Sequence, residues 1–145
     1  MGGTTDDTTS RDWTGLEVLP FEECMRLVAT VPIGRLAMID RGEIAVLPIN
    51  HTVHDGRVAF RTAAGAKLDA GIMQHLVTFE VDQYDEKTRT GWSVIIKGRA
   101  DLVTDDDDLA ALNASGVRPW SSPTQRNVWV RLDANHVSGR RITPA

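Results

Sequence analysis

The sequence predicts a mainly β domain, a small antiparallel barrel of about six or seven strands with three short helices. Three observations carry that expectation. Between residues 33 and 103 short apolar runs with the period of a strand are parted by turn signals. Connections such as Asp40-Arg41-Gly42 and Asp55-Gly56 are tight, and tight turns join antiparallel neighbours, whereas parallel strands need a long crossover. The helical stretches are few and short, so they bridge or plug a sheet rather than alternate with strands.

Residues 1–15 are mostly Gly, Thr, Asp and Ser. They bury too little to offset the entropy of ordering and read as a flexible tail ahead of one domain, residues 16–145. Pro20 suits a first helical turn, and Glu22 and Glu23 suit the positive end of the helix dipole, which predicts a helix over residues 20–29 that Pro32 stops. Strands follow over 33–39 and 43–50. Pro48 in the second lacks a ladder donor and places that end at an edge, a bulge or a barrel rim. A third strand, 57–62, returns from the Asp55-Gly56 turn. Residues 65–74 read as a short bridging helix weakened by Gly71. Strands over 76–82 and 91–103 come next, the latter bent at Gly98. Asp105 to Asp108 form the acidic start of a helix over 109–113. After a breaker-rich loop containing Pro119, Trp120 and Pro123, residues 127–132 alternate as a strand, and 136–142 pair or wrap at the end. No internal repeat is visible.

A chain of 145 residues with a net charge of −4 and a pI near 5.5 is one ordinary domain. It lacks the basic balance of a nucleic-acid groove. Its single cysteine, Cys24, cannot form an internal disulfide and lies at helical spacing among packing residues, which fits a cytoplasmic protein. No apolar run has the length of a membrane span, and no signal-peptide pattern opens the chain.

The chemistry-bearing stretch is Arg57 to Lys67: a strand, a small-residue turn and the opening of a helix, with Arg61, Thr62 and Lys67 gathered near the turn. Backbone N–H groups, a hydroxyl and two cations together are an anion site, and the reading is a cofactor phosphate. The bland alternative, two surface charges and a strand-forming threonine, weighs about equally on the residues alone. There is no Gly-x-Gly-x-x-Gly after the first strand, no Walker-type Gly-Lys-Ser/Thr, no nucleophile elbow and no His/Cys cluster at metal-ligand spacing. His51 and His54 are three apart on a strand and point to opposite faces. No catalytic residue and no metal ligand is assigned.

Taken in order, Phe21-Glu22-Glu23-Cys24, Ile33-Gly34-Arg35-Leu36-Ala37, Leu47-Pro48-Ile49-Asn50, Phe60-Arg61-Thr62 with Lys67, Phe79-Glu80-Val81-Asp82, Gly91-Trp92-Ser93-Val94 with Gly98, and Gly139-Arg140-Arg141 resemble the pyridoxamine-phosphate-oxidase-like flavoproteins. These form the FMN-binding split-barrel superfamily, and the likeness is to its small bacterial branch of nitroimidazole-resistance-type and deazaflavin-dependent reductases. The resemblance runs from about residue 19 to 142. It implies a split barrel, a homodimer with a cofactor at the subunit interface, and FMN as that cofactor, with the deazaflavin F420 as the alternative. By the same resemblance Arg61, Thr62 and Lys67 fall at the phosphate, with Phe60 beside them also among the cofactor-binding residues, Val46, Leu47, Pro48, Ile49 and Asn50 fall along the isoalloxazine ring, Trp92 and Ser93 where a second strand completes the pocket, and Arg140 near cofactor or substrate. The chain lacks the C-terminal basic and aromatic residues with which pyridoxamine-phosphate oxidases proper hold their substrate, so oxidation of vitamin B6 is not expected. The expected activity is reduction of a small organic acceptor. The alternative is a non-catalytic protein that carries or senses flavin, F420 or haem.

Overall fold

A computed structural model describes residues 10–65, 68, 72, 73, 75–120 and 127–144. The elements run β1 (Glu17–Leu19), α1 (Phe21–Val28), β2 (Ile33–Asp40), β3 (Glu43–His54), β4 (Arg57–Ala63), β5 (Leu76–Asp85), β6 (Thr90–Leu102), α2 (Asp106–Ala114) and β7 (Asn127–Ile142). The strand order β1-β7-β4-β3-β2-β5-β6, with β6 also paired to β7, closes six antiparallel strands into a barrel. β1 is an extra strand, held against the far end of β7 through Glu17↔Arg141 and Leu19↔Gly139.

The turns behave as their sequences predict. Asp40↔Glu43 and His54↔Arg57 close two-residue hairpins, and Arg41 and Asp55 take left-handed φ values of 51° and 52°, the conformation that matches hairpin twist. Inward residues at alternate positions fill the barrel: Leu36, Val58, Phe60, Phe79, Val94, Ile96, Val130 and Leu132 are fully buried. Phe60 and Phe79 stack with centroids 6.4 Å apart. The α1 helix turns Cys24, Met25, Leu27 and Val28 inward and lies close over β7. A Cβ on Gly139 would stand 2.5 Å from the Cys24 sulfur. His51, 4 % exposed, donates from Nε2 to the Val28 carbonyl at 2.9 Å, near the helix C-terminus where carbonyls lack helical partners. Burial pushes its pKa down, so the neutral ring makes this bond.

Three differences from the sequence reading have physical causes. The last two expected strands are one: β7 runs unbroken for 16 residues. Its register to β6 shifts from Lys97↔His136 to Gly98↔Ala134, so one extra residue is absorbed as a bulge rather than a break. Gly98 sits at that bend as expected, and a Cβ there would lie 1.6 Å from the Asp133 carbonyl oxygen. Residues 17–19, read as the approach to α1, pair as β1 because β7 extends past β4 and offers them a partner. Within the expected tail, Asp12 accepts from the Leu16 backbone N–H at 3.1 Å and from Arg140 at 3.0 Å. The helix expected over 65–74 lies largely outside the described residues, although Leu68 and Ile72 are described and buried in the core.

A second, smaller core lies outside the barrel wall. The Asp105 side chain caps α2 by accepting from the Asp108 N–H at 2.9 Å. The helix sets Leu112 against Ala59, Val103 and Trp129. This layer positions the chain that follows α2 beside β3 and β4.

Candidate functional site

The barrel opens where β3 and β4 part. Their pairing runs from His54↔Arg57 to His51↔Phe60 and stops. Beyond it β3 stays with β2 through Asn50↔Ile33 and Pro48↔Arg35, while β4 stays with β7 through Arg61↔Trp129 and Thr62↔Val128. Backbone groups that Leu47 to Asn50 turn away from β2 therefore face a gap instead of a strand. This is the setting expected for Pro48, since its missing N–H costs no ladder bond on that side. The gap is a slot of about 310 Å³ lined by Leu47, Pro48, Ile49, Asn50, Arg61, Thr62, Ala63, Pro119 and Trp120.

Within the slot the charge is one-sided. Arg61 has its guanidinium 5.6 Å over the Trp129 ring, and its Nε is buried with no hydrogen-bond partner. Trp129 is 4 % exposed and is fixed in turn by a 2.8 Å bond from its Nε1 to Asn113 Oδ1 on α2. No acidic residue is among the described residues that line the slot. A held cation with an unspent donor in a largely apolar slot suits an anion. The far wall is tied across by Asn50, whose Nδ2 donates to the Arg118 carbonyl and whose Oδ1 accepts from Trp120 Nε1, both at 3.2 Å.

Six residues singled out from the sequence meet here: Leu47, Pro48, Ile49, Asn50, Arg61 and Thr62. The others lie elsewhere. Val46 faces outward on β3, 58 % exposed, and the Phe60 side chain is wholly in the barrel core, so it can reach the slot only through its backbone. Lys67 lies outside the described residues. Trp92, Ser93 and Arg140 line a separate cleft of about 180 Å³ with Leu16, Asp82 and Tyr84. There Arg140 is already engaged by Asp12 at 3.0 Å. The Asp12 carboxyl is held down to about 2, first by the Thr14 hydroxyl, against some burial, and then by the Leu16 N–H and Arg140.

Two further features are structural. A hollow of about 810 Å³ beside the β5–β6 hairpin includes Arg141, but this arginine is paired with Glu23 at 2.6 Å and Glu17 at 3.5 Å. His54, Asp55 and Asp108 bring ligand atoms within 4.8 Å of one another, yet Asp108 is bound to Arg131 at 3.1 Å, which leaves an ion-pair network. Sequence reasoning missed Trp129 and Trp120. Trp129 acts through a cross-strand pairing that no local pattern reveals. Trp120 left one signal, an exposed aromatic in a loop of helix breakers.

A six-stranded antiparallel barrel split between two strands, with an arginine at the split, defines the class of small split-barrel proteins. The chain belongs to the pyridoxamine 5'-phosphate oxidase family, whose model matches residues 20–141. It is 36 % identical over 129 residues to an uncharacterised protein of Mycobacterium tuberculosis, covering 83 % of this chain and 82 % of that one. Among solved structures it is similar to the FAD binding protein from Mycobacterium smegmatis, with 35 % identity, a TM-score of 0.73 and coverage of 87 % of this chain and 99 % of that one. A putative pyridoxamine 5'-phosphate oxidase from Corynebacterium glutamicum matches with 29 % identity and a TM-score of 0.74, over 88 % and 98 % of the two chains.

Proposed function

We propose that this protein binds a flavin in the slot between β3 and β4 and serves as a flavin-dependent reductase of a small organic acceptor. The observation that carries the reading is Arg61: a guanidinium braced on Trp129, with a buried, unpartnered Nε, in a slot whose described lining holds no acid. Arg61 and Thr62 would take the phosphate, with Lys67 as the further cation. The backbone of Leu47 to Asn50 would meet the edge of the ring.

A bound flavin supplies the redox chemistry, accepting and passing on hydride or electrons at the ring. The residues of this chain bind, orient and keep water away from one face. FMN is the cofactor first expected and F420 the alternative; the similar FAD binding protein from M. smegmatis adds FAD. All three share a tricyclic ring and phosphate.

A homodimer belongs to the same reading. The cleft of Trp92, Ser93 and Arg140 is separate from the slot within one chain, and a second subunit would complete the slot with that cleft. The outer face beside the slot supports this, since Ile44 and Val46 of β3 are 77 % and 58 % exposed and Ile39 of β2 is 42 % exposed, an apolar patch suited to burial against a second copy.

The purified protein should be yellow, with bands near about 370 and 450 nm if the ligand is an oxidised flavin, and mass analysis of the released ligand separates FMN, FAD and F420. Protein that binds none of the three on titration overturns the reading. Turnover of quinones and nitro compounds no faster than with free flavin would make it a carrier or sensor instead. Light scattering gives the subunit count, and a monomer with bound flavin overturns the interface.

A further inference from the structure

We infer that Trp120 is the stacking wall of the slot, the residue against which the flat ring of the ligand packs, and that Asn50 is the positioning residue that holds it there. The inference rests on the flavin reading above and adds residues to it. Trp120 is 62 % exposed although it lines a largely apolar slot between β3 and β4. An indole left in water at the mouth of a slot is apolar area that a flat ligand can cover, and aromatic faces favour offset stacking on other π-systems.

The indole is not free to wander. Its Nε1 donates to Asn50 Oδ1, while Asn50 Nδ2 donates to the Arg118 carbonyl two residues before Trp120. A carbonyl partner requires the amide NH₂, and an indole N–H partner requires the amide oxygen, so these contacts fix which way the amide faces. Pro119 between the two contacts stiffens the strap, because its ring fixes φ. Asn50 thus gives one N–H and one oxygen lone pair of its amide to the strap. Both of these contacts are to the strap, which assigns Asn50 to positioning, while its second amide N–H stays free to meet the edge of the ring.

The arrangement divides the slot into two functions. Arg61 on one strand answers to the phosphate, and Trp120 on the strap answers to the ring. Riboflavin, which has the ring without the phosphate, separates them. In titrations followed by quenching of flavin fluorescence, Trp120→Ala should weaken FMN and riboflavin by the same factor, about fivefold to tenfold for the loss of one stacked face. Trp120→Phe should recover most of that loss. Asn50→Ala should weaken both ligands in parallel by a smaller factor and broaden the visible circular dichroism of bound FMN, as a ring loses its fixed neighbour. Arg61→Ala should weaken FMN and leave riboflavin nearly unchanged.

Trp120 is exposed, so its replacement leaves the barrel core intact, and far-UV circular dichroism checks this. Wild-type protein that binds FMN, with Trp120→Ala binding both ligands unchanged, overturns the stacking wall and leaves the flavin reading standing. Trp120→Ala that weakens FMN but not riboflavin also overturns it, because the indole would then act on the phosphate end. Wild-type protein that binds neither ligand overturns the flavin reading and this inference together.

Discussion

Two clefts on the same barrel each contain an arginine, and the difference lies in what that arginine already holds. In the slot between β3 and β4, Arg61 rests on an uncharged indole and keeps a buried donor unspent. In the cleft of Trp92 and Ser93, Arg140 is tied to Asp12. Its neighbour Arg141 is tied to Glu23 and Glu17, and the Glu23 carboxyl is held down to about 2 by Arg26 and then Arg141. Among the described residues the first cleft's lining gives its arginine no counter-ion, and the second cleft has balanced its own. A guanidinium braced by an aromatic ring keeps its direction without surrendering its charge, so Arg61 is the one disposed to take a ligand's anion.

The largest expected effect is on both clefts together. Gly98→Ala would drive a methyl into the Asp133 carbonyl, where β6 and β7 close the barrel, and should cost about 4 kcal/mol or more, at the extreme of single substitutions. Chemical denaturation measures it; a loss below about 1 kcal/mol would mean that the bulge relaxes freely.

The next test sets the two arginines against each other. Arg61→Ala should weaken FMN by about 1.5–3 kcal/mol, the scale of charge-assisted bonds, whereas Arg140→Ala should weaken it by less, because Arg140 already holds Asp12 and brings only part of its charge to the slot that its cleft completes in the partner. Equal losses in calorimetric titrations would erase the distinction between the clefts.

Trp129→Phe keeps an aromatic face under Arg61 and removes the bond to Asn113. It should cost about 1 kcal/mol of stability and leave FMN affinity near wild type. A large loss of affinity would show that Arg61 depends on α2 being fixed and not on the ring alone.

The smallest effect concerns the acidic side of the second cleft. Asp82, which lines it, shares Arg35 with Glu80 at 3.3 and 3.5 Å. Burial, then the neighbouring Asp82, raises the Glu80 carboxyl from 4.5 to about 7. The folded chain therefore holds that proton more tightly than the unfolded chain, and its stabilisation is full below pH 4.5 and lost as pH rises from 4.5 to about 7. Glu80→Gln, neutral throughout, should match wild type near pH 4 and exceed it above neutrality by about 1–2 °C in Tm, the exposure of the group limiting the gain. An identical pH profile for both proteins would deny the shift.

Much of this was readable from local chemistry. The period-two runs and the turns at Arg41-Gly42 and Asp55-Gly56 gave the strands; Asp105 gave the α2 cap; Pro48 announced a place where a ladder fails. Arg61 and Thr62 were chosen for their chemistry and Leu47 to Asn50 through the resemblance, and the structure brings them together. What stayed hidden depends on partners distant in sequence. That β3 and β4 part after His51↔Phe60 is decided by β2 and β7 pulling on opposite sides. That Trp129 underlies Arg61 follows from strand pairing, and that Asn50 grips Trp120 from a contact spanning 70 residues. The Phe60 side chain leaves the slot for a related reason: the residue beside Arg61 on a strand points to the opposite face, here into the core.

The sealed contact between α1 and β7 makes the molecule its own stopwatch. Cys24 is the only thiol in the chain; it is fully buried against Gly139, and burial pushes its pKa up. A thiol reagent can reach it only when the helix lifts from the strand, so the labelling rate in the folded protein counts those openings directly. Labelling that slows when cofactor is added would mean that the ligand steadies the far end of the barrel, registered by a native atom and without an attached probe.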